Sequence, residues 1–110
     1  MSEAGLREAM RTTPRSAVLR ARFDRDLAGY AVVGSQMSLS FLQRVAVAPG
    51  YAGRGVGASL VRSALQWALR SGARVMVLNL RPENFGARRL YEREGFKAGD
   101  TALQLLRFEA

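Results

Sequence analysis

Neither cysteine nor histidine occurs among the 110 residues of the chain. Their absence excludes disulfide scaffolds, zinc sites built from Cys and His, cysteine nucleophiles and Ser-His-Asp triads. Chemistry is therefore left to hydroxyl, carboxylate, amide and basic side chains and to the backbone. We expect no metal site.

Long apolar runs are also missing from the sequence. No stretch is long enough to cross a bilayer, and residues 1–12 lack the apolar centre of a secretory signal. There is no internal repeat, linker or low-complexity tract. We therefore expect one soluble, cytoplasmic domain over residues 1–110, with no membrane partner.

Acidic residues are scarce. Nine of them stand against 17 basic residues, and every basic residue except Lys97 is an arginine. This excess suits a polyanionic partner such as a phosphate-bearing cofactor or a nucleic acid, but genome base composition explains it equally well. The predicted strands lack the interleaved surface aromatics that base stacking needs, so a nucleic-acid partner is not favoured.

Alternation of apolar and polar residues marks the first half of the chain. A short helix is expected over residues 3–11. Strand-type alternation begins at Ala17 and continues over residues 27–33 and 39–48, with short polar turns between the segments. The pattern predicts three consecutive strands in an antiparallel meander.

The second half changes period after Ala48. Apolar residues recur every three or four positions from Val56 to Leu69, which predicts a helix that Gly72 ends. Residues 75–80 are an apolar run of strand length. Because this run follows a helix, it should lie parallel to the strand that ends at Ala48.

A second helix and a hairpin complete the pattern. Asn84 is placed to cap the helix, and Gly95 to end it. Residues 96–98 and 101–108 are expected to close the fold as a hairpin. The fold class is therefore α/β (α+β): an antiparallel meander followed by a β-α-β crossover, a second helix and a C-terminal hairpin.

A glycine-rich loop, residues 49–57, leads directly into the first of these helices. A helix start presents unpaired N–H groups and the positive end of the helix dipole, which together bind phosphate. A P-loop would need Lys followed by Ser or Thr after its last glycine. Here Ala58 and Ser59 follow Gly57, so NTP hydrolysis is not expected.

Two other interpretations of the loop stay open at this point. The pattern Gly53-x-Gly55-x-x-Ala58 fits a dinucleotide-binding fingerprint, but the next strand offers Asn79 and no acid for the ribose. Alternatively, the glycines serve only a tight turn and close helix packing.

Two segments, VAVAPGYAGRGVGA at residues 45–58 and NFGARRLYEREGF at residues 84–96, resemble the acetyl-CoA-binding motifs of the GNAT family of N-acetyltransferases. Residues 45–58, VAVAPGYAGRGVGA, are similar to the family's cofactor-binding strand, loop and helix start. Residues 84–96, NFGARRLYEREGF, resemble its following Asn-x-x-Ala-x-x-x-Tyr-x-x-x-Gly-Phe motif. Together they imply a GNAT-like mixed sheet and acetyl-CoA as cosubstrate.

The resemblance also implies the cofactor contacts. The backbone of residues 45–47 would pair with the pantetheine amides as an added strand, and the amides of residues 53–58 would take the pyrophosphate. Arg54 would add positive charge, while Asn84 and Ala87 would line the pantetheine arm. The implied cofactor-binding residues are Val45, Ala46, Val47, Gly53, Arg54, Gly55, Val56, Gly57, Ala58, Asn84, Ala87 and Tyr91.

Tyr91 matches the family's tyrosine, which the resemblance implies is the catalytic acid for the departing thiolate. Without the motif, packing beside Leu90 would be the preferred interpretation. In the ribosomal-protein alanine N-acetyltransferases of the family, a glutamate stands twelve residues before that tyrosine, where this chain has Asn79. A water chain or a backbone carbonyl must then relay the proton. This arrangement favours an α-amine, with a pKa of about 8, over a lysine at about 10.4.

Two further features depart from the family pattern. Ala52 stands where the family usually has Gln or Arg, and only the helix predicted over residues 3–11 precedes the meander. We expect an acetyl-CoA-dependent N-acetyltransferase that acts on a primary amine, as a homodimer whose partner completes the acceptor site. The alternative is a noncatalytic CoA-binding module.

Overall fold

A computed structural model describes residues 15–81 and 83–98 and the backbone of residues 105–109. Six strands form one sheet in the order β1-β2-β3-β4-β6-β5. The strands are β1 (Arg15–Phe23), β2 (Asp26–Gln36), β3 (Leu39–Val47), β4 (Val75–Asn79), β5 (Lys97–Ala98) and β6 (Leu105–Glu109). The helices are α1 (Val56–Arg70) and α2 (Phe85–Arg93), with a short 3-10 helix at Pro49–Tyr51. The helix predicted over residues 3–11 lies outside the described residues.

The first three strands form the predicted antiparallel meander. Asp24 and Met37, with φ of 52° and 57°, turn the chain between them. The inner side of β1 is half-buried as expected, except that Phe23 is 46% exposed. The pairing of β1 with β2 shifts after Ala21, so the strand end leaves the core and Phe23 stacks on Tyr51 instead.

β3 and β4 run parallel, as predicted, but they stay paired only over the short segment from Leu39–Val75 to Phe41–Val77. Beyond it, β3 carries an extra residue, Gln43, between the partners of Val33 and Val32 on β2. A bulge bends its strand and increases the local twist. The two strands therefore separate at their carboxyl ends, and the edge of β3 stays open there.

α1 covers one face of the meander. Its buried residues are Val56, Leu60, Val61, Ala64 and Ala68. They pack against sheet residues such as Ala31 and Val33, which are fully buried. Hydrophobic residues at this helical spacing were the signal that predicted α1, and burial of that stripe against the sheet holds its start beside β3.

α2 lies beside α1. The side-chain oxygen of Asn84 accepts a hydrogen bond from the N–H of Ala87 at 3.3 Å, which confirms the predicted cap, and Gly95 ends the helix with φ of 103°. β5 pairs with β6 in the predicted antiparallel hairpin, with β6 inserted next to β4. These features confirm the predicted α+β fold class. No helix in the described ranges is long and apolar enough to span a membrane.

Candidate functional site

The glycine loop turns into α1 through left-handed backbone. Gly53 has φ of 76°, and Gly55, the N-cap of α1, has φ of 81°. Only glycine adopts this conformation without strain. A Cβ built on either residue would meet no atom within 4 Å, so both face open space. The loop backbone is therefore accessible to a ligand.

The amides of this loop are available as donors. Ser59 is the first helical residue whose N–H bonds back, to the carbonyl of Gly55 at 3.0 Å. No side chain caps Gly55, and the first turn carries no acidic residue. In the described part of the chain, no hydrogen bond of good distance and angle joins an N–H group of residues 53–58 to a backbone carbonyl. Such a helix start attracts an anion.

A cleft of about 820 Å³ lies between this loop and α2. It contains seven of the residues that the family resemblance implied, from both motifs: Val47, Gly53, Gly55, Val56, Gly57, Ala58 and Ala87. Its other lining residues are Tyr51, Ala52, Arg62, Gly86, Leu90, Arg93 and Glu94. The two motifs, separated in sequence by a helix and a strand, thus form the walls of one cleft.

The remaining implied residues lie around the cleft. Val45 and Ala46 are on the part of β3 that β4 no longer pairs. Asn84 caps α2, and the guanidinium of Arg54 lies 5.3 Å from the ring centre of Tyr51. None of these four residues is among those that line the cleft, although each is close in sequence to one that does.

Tyr91 lies on the buried side of α2. It is 9% exposed and makes an edge-to-face contact with Phe96, with ring centres 5.7 Å apart. Burial raises the pKa of its phenol above the usual value. The phenol of Tyr91 is therefore protonated at neutral pH. Its neighbour in sequence, Leu90, lines the cleft.

Tyr51 is a cleft residue that the sequence did not point to. Its hydroxyl donates a hydrogen bond of 2.8 Å to Asp26, and its ring stacks on Phe23 at 5.3 Å. The hydrogen bond to Asp26 is the main reason that the pKa of Tyr51 is raised, although nearby Arg54 acts in the opposite direction. These contacts join the glycine loop to the β1–β2 turn.

An ion pair was also missed by the sequence analysis. Arg62 on α1 contacts Glu94 at the end of α2 through two N–O distances of 3.0 Å. Both residues line the cleft. The pair ties the two helices together and neutralises the carboxylate that would otherwise repel an anionic ligand.

A second cavity, of about 370 Å³, lies where β3 and β4 separate. Its lining residues are Phe41, Leu42, Gln43, Val77, Leu78 and Asn79. Two carboxamides are thus the polar side chains of this cavity, and no carboxylate is among the described residues that line it. None of these six described lining residues is able to act as a strong base at neutral pH.

Known proteins are similar to this chain in sequence. An uncharacterized N-acetyltransferase of Mycobacterium tuberculosis is 36% identical over 92 residues, covering 82% of this chain and 58% of the relative. A putative ribosomal protein bS18-alanine N-acetyltransferase of Bacillus subtilis is 33% identical over 76 residues, covering 69% of this chain and 50% of the relative. The matched part of the chain thus spans about half the length of these relatives.

A solved structure is similar to this chain in fold. The GNAT family acetyltransferase from Elizabethkingia anophelis, with acetyl-CoA bound, has a TM-score of 0.80 at 16% identity and covers 99% of this chain and 84% of that one. The family model described as Acetyltransferase (GNAT) family matches residues 2–96. The chain belongs to the GNAT acetyltransferase family.

Proposed function

We propose that this chain is an acetyl-CoA-dependent N-acetyltransferase that acts on a primary amine. The observation that carries the proposal is the left-handed glycine loop, whose unpaired amides face a cleft between α1 and α2. The cleft begins at a phosphate-binding helix start and includes Val47, the last residue of β3. A long cofactor in which a pantetheine arm joins a diphosphate to a thioester fits this layout.

The residues of the cleft suit each part of the cofactor. The amides of residues 53–58 would bind the diphosphate, and open space over Gly53 and Gly55 allows its close approach. Residues 45–47 would pair with the pantetheine amides, because their edge of the sheet is free of β4. Acetyl-CoA supplies the activated acetyl group as a thioester.

Tyr91 would stabilise the departing thiolate. Its raised pKa keeps the phenol protonated, so that it can donate a hydrogen bond to sulfur as negative charge develops. A thiol has a pKa of about 8.5. A phenol whose pKa is well above that value stabilises the thiolate by a hydrogen bond and keeps its own proton.

The amine would approach the thioester where the strands separate. Asn79 and Gln43 offer carboxamide oxygens there, which accept hydrogen bonds but do not take up a proton at neutral pH. The proton that the attacking amine loses must therefore be relayed by water or by a backbone carbonyl. An α-amine, with a pKa of about 8, is neutral more often than a lysine and is therefore the preferred acceptor.

A noncatalytic CoA-binding module is the second candidate. It is favoured by Asn79 in place of a carboxylate and by Ala52, which brings no side-chain donor to the loop. Such a module would bind acetyl-CoA and release no thiol with any amine.

The assembly and location complete the proposal. We infer a cytoplasmic homodimer in which the second subunit completes the acceptor site. Light scattering at high protein concentration tests the dimer, and a monomeric mass would contradict it.

Thiol release across an amine panel tests the proposed function. Because the chain has no cysteine, a thiol reagent reports CoA alone. The panel consists of peptides with a free N-terminus, peptides whose only amine is a lysine, polyamines and aminoglycosides. We expect release with the free N-terminal peptides. Acetyl-CoA binding without release from any amine would favour the noncatalytic module, and activity restricted to lysine would contradict the α-amine preference.

A further inference from the structure

The cavity between β3 and β4 reaches the sheet face that α1 does not cover. Side chains alternate across a strand. On β3, Leu42 is 5% exposed on the α1 side, whereas Phe41 is 40% exposed on the opposite side. Both line the cavity, and so do Val77 and Leu78 of β4. Among the described residues, the cavity thus extends from the α1 side of the sheet to the opposite side, where Phe41 is partly exposed.

The bulge directs Gln43 onto this open face. Gly34 of β2 pairs with Phe41, so the two share a face of the sheet. A Cβ built on Gly34 would lie 3.5 Å from the side-chain nitrogen of Gln43. The carboxamide of Gln43 thus lies beside Phe41, at the outer mouth of the cavity.

Two arginines and a tyrosine continue this face across the neighbouring strands. Arg20 of β1 pairs with Tyr30 of β2, and Arg44 of β3 pairs with Val32 two residues further along β2. The guanidinium of Arg44 lies 5.8 Å from the ring centre of Tyr30. Residues paired across antiparallel strands point to the same side. Arg20, Tyr30 and Arg44 therefore form one patch, which we call the basic face.

No carboxylate among the described residues forms an ion pair with the basic face. Arg20 and Arg44 are both exposed. Within the described part of the chain, the ion pairs are Arg62 with Glu94 and Arg88 with Glu92, both between helical or helix-end residues. Neither arginine of the basic face has a carboxylate partner there. The approach to the cavity at Asn79 thus carries a positive field.

We infer that the acceptor is an α-amine accompanied by carboxylates, such as the N-terminus of an acidic peptide, and that Arg20 and Arg44 bind those carboxylates. This inference rests on the proposed N-acetyltransferase function and narrows its substrate class. Guanidinium groups bind carboxylates in bidentate geometry, and a patch of one charge concentrates ligands of the opposite charge. The same field repels polycations such as polyamines and aminoglycosides.

Three peptides that differ only in charge test the inference. Ala-Gly-Glu-Glu, Ala-Gly-Gln-Gln and Ala-Gly-Arg-Arg, each with an amidated C-terminus, offer the same single α-amine. We expect kcat/KM for the acidic peptide to exceed that of the neutral one by about tenfold at low salt, and the ratio to approach one at high salt. Arg20→Gln with Arg44→Gln should abolish the preference and leave the KM for acetyl-CoA unchanged. Arg70→Gln, an exposed arginine in the last turn of α1, is the matched control and should keep the preference.

Fluorescence anisotropy with labelled peptides separates the two proposals. If no peptide is acetylated, the proposed function is wrong. In that case we still expect the acidic peptide to bind more tightly than the other two. The double variant should bind all three peptides equally. Equal binding of all three peptides, or a preference that survives the double variant, would overturn the inference. Arginine-dependent binding of a short single-stranded RNA, without any preference among the peptides, would overturn it in favour of a nucleic-acid surface.

Discussion

Tyr51 holds the glycine loop in place through its hydroxyl as well as its ring. Tyr51→Phe keeps the stacking on Phe23 and removes the 2.8 Å hydrogen bond to Asp26. The loop then loses an anchor, so its amides are less well ordered before the cofactor binds. We expect the affinity for acetyl-CoA to fall by about two- to fivefold with little change in kcat. Tyr30→Phe is the control, since its ring also packs against an arginine but lies outside the cleft. A Tyr51→Phe variant with the affinity of the parent would show that the anchor has no role.

The role proposed for Tyr91 differs from that of Tyr51, so the same substitution should have a different effect. Tyr91→Phe preserves the edge-to-face contact with Phe96 and removes the proposed donor to the thiolate. Turnover should fall by about a hundredfold, and the Kd for acetyl-CoA should change little. Steady-state kinetics and calorimetry measure the two effects separately. Full turnover in this variant would assign Tyr91 to packing alone.

Burial of Tyr91 also affects stability at high pH. The pKa of an unfolded tyrosine is about 10, and burial raises the pKa of Tyr91 in the folded protein. Above pH 10 or so the unfolded chain has released this proton while the folded chain still holds it. Stability is therefore full below that pH and falls as the pH rises through the folded-state pKa. Above about pH 10, the melting temperature of the parent should fall more steeply with pH than that of Tyr91→Phe. Parallel curves for the two proteins would show that Tyr91 does not contribute to this pH dependence.

At the scale of elements, the position of α1 over β2 depends on Gly29. A Cβ there would lie 2.6 Å from the carbonyl oxygen of Ala46 and 3.1 Å from side-chain atoms of Leu60 and Val56. A backbone oxygen cannot move aside without displacing β3. Gly29→Ala should destabilise the fold by about 1–3 kcal/mol in thermal unfolding. Gly50→Ala, where a Cβ meets nothing within 4 Å, is the matched control. Equal melting temperatures for the two variants would rule out close packing at Gly29.

The elements themselves could largely be predicted from the sequence because each has a local signal. Alternating residues marked the meander, the recurring apolar residues of α1 marked its helix, and Asn84 marked the start of α2. The bulge at Gln43 had no such signal, because an extra residue in a strand leaves the local composition unchanged and is defined by the pairing with β2. The family resemblance implied an open strand edge at residues 45–47, whereas the point at which β3 and β4 separate, after Phe41 and Val77, required the structure.

On the scale of the whole molecule, the candidate site combines local motifs with contacts between distant segments. The motifs predicted the glycine loop and the start of α2, which form facing walls of the cleft. The bonds of Tyr51 to Asp26 and of Arg62 to Glu94 join segments 25 and 32 residues apart in sequence. Neither pair has a spacing that a helix or strand period would reveal, so their roles in the cleft required the folded structure.

The central claim is that the amides at the start of α1 hold the diphosphate of acetyl-CoA. Calorimetric titration with acetyl-CoA tests it in Gly55→Val and Gly72→Val. Both glycines are left-handed, with φ of 81° and 92°, and neither has an atom within 4 Å of a built Cβ, so the two substitutions cause similar backbone strain. They differ in place, because Gly55 lies in the cleft and Gly72 follows the far end of α1. The account predicts a loss of affinity of at least about tenfold in Gly55→Val and a Kd close to the parent's in Gly72→Val. Equal affinities in the two variants, or no heat of binding from the parent, would contradict it.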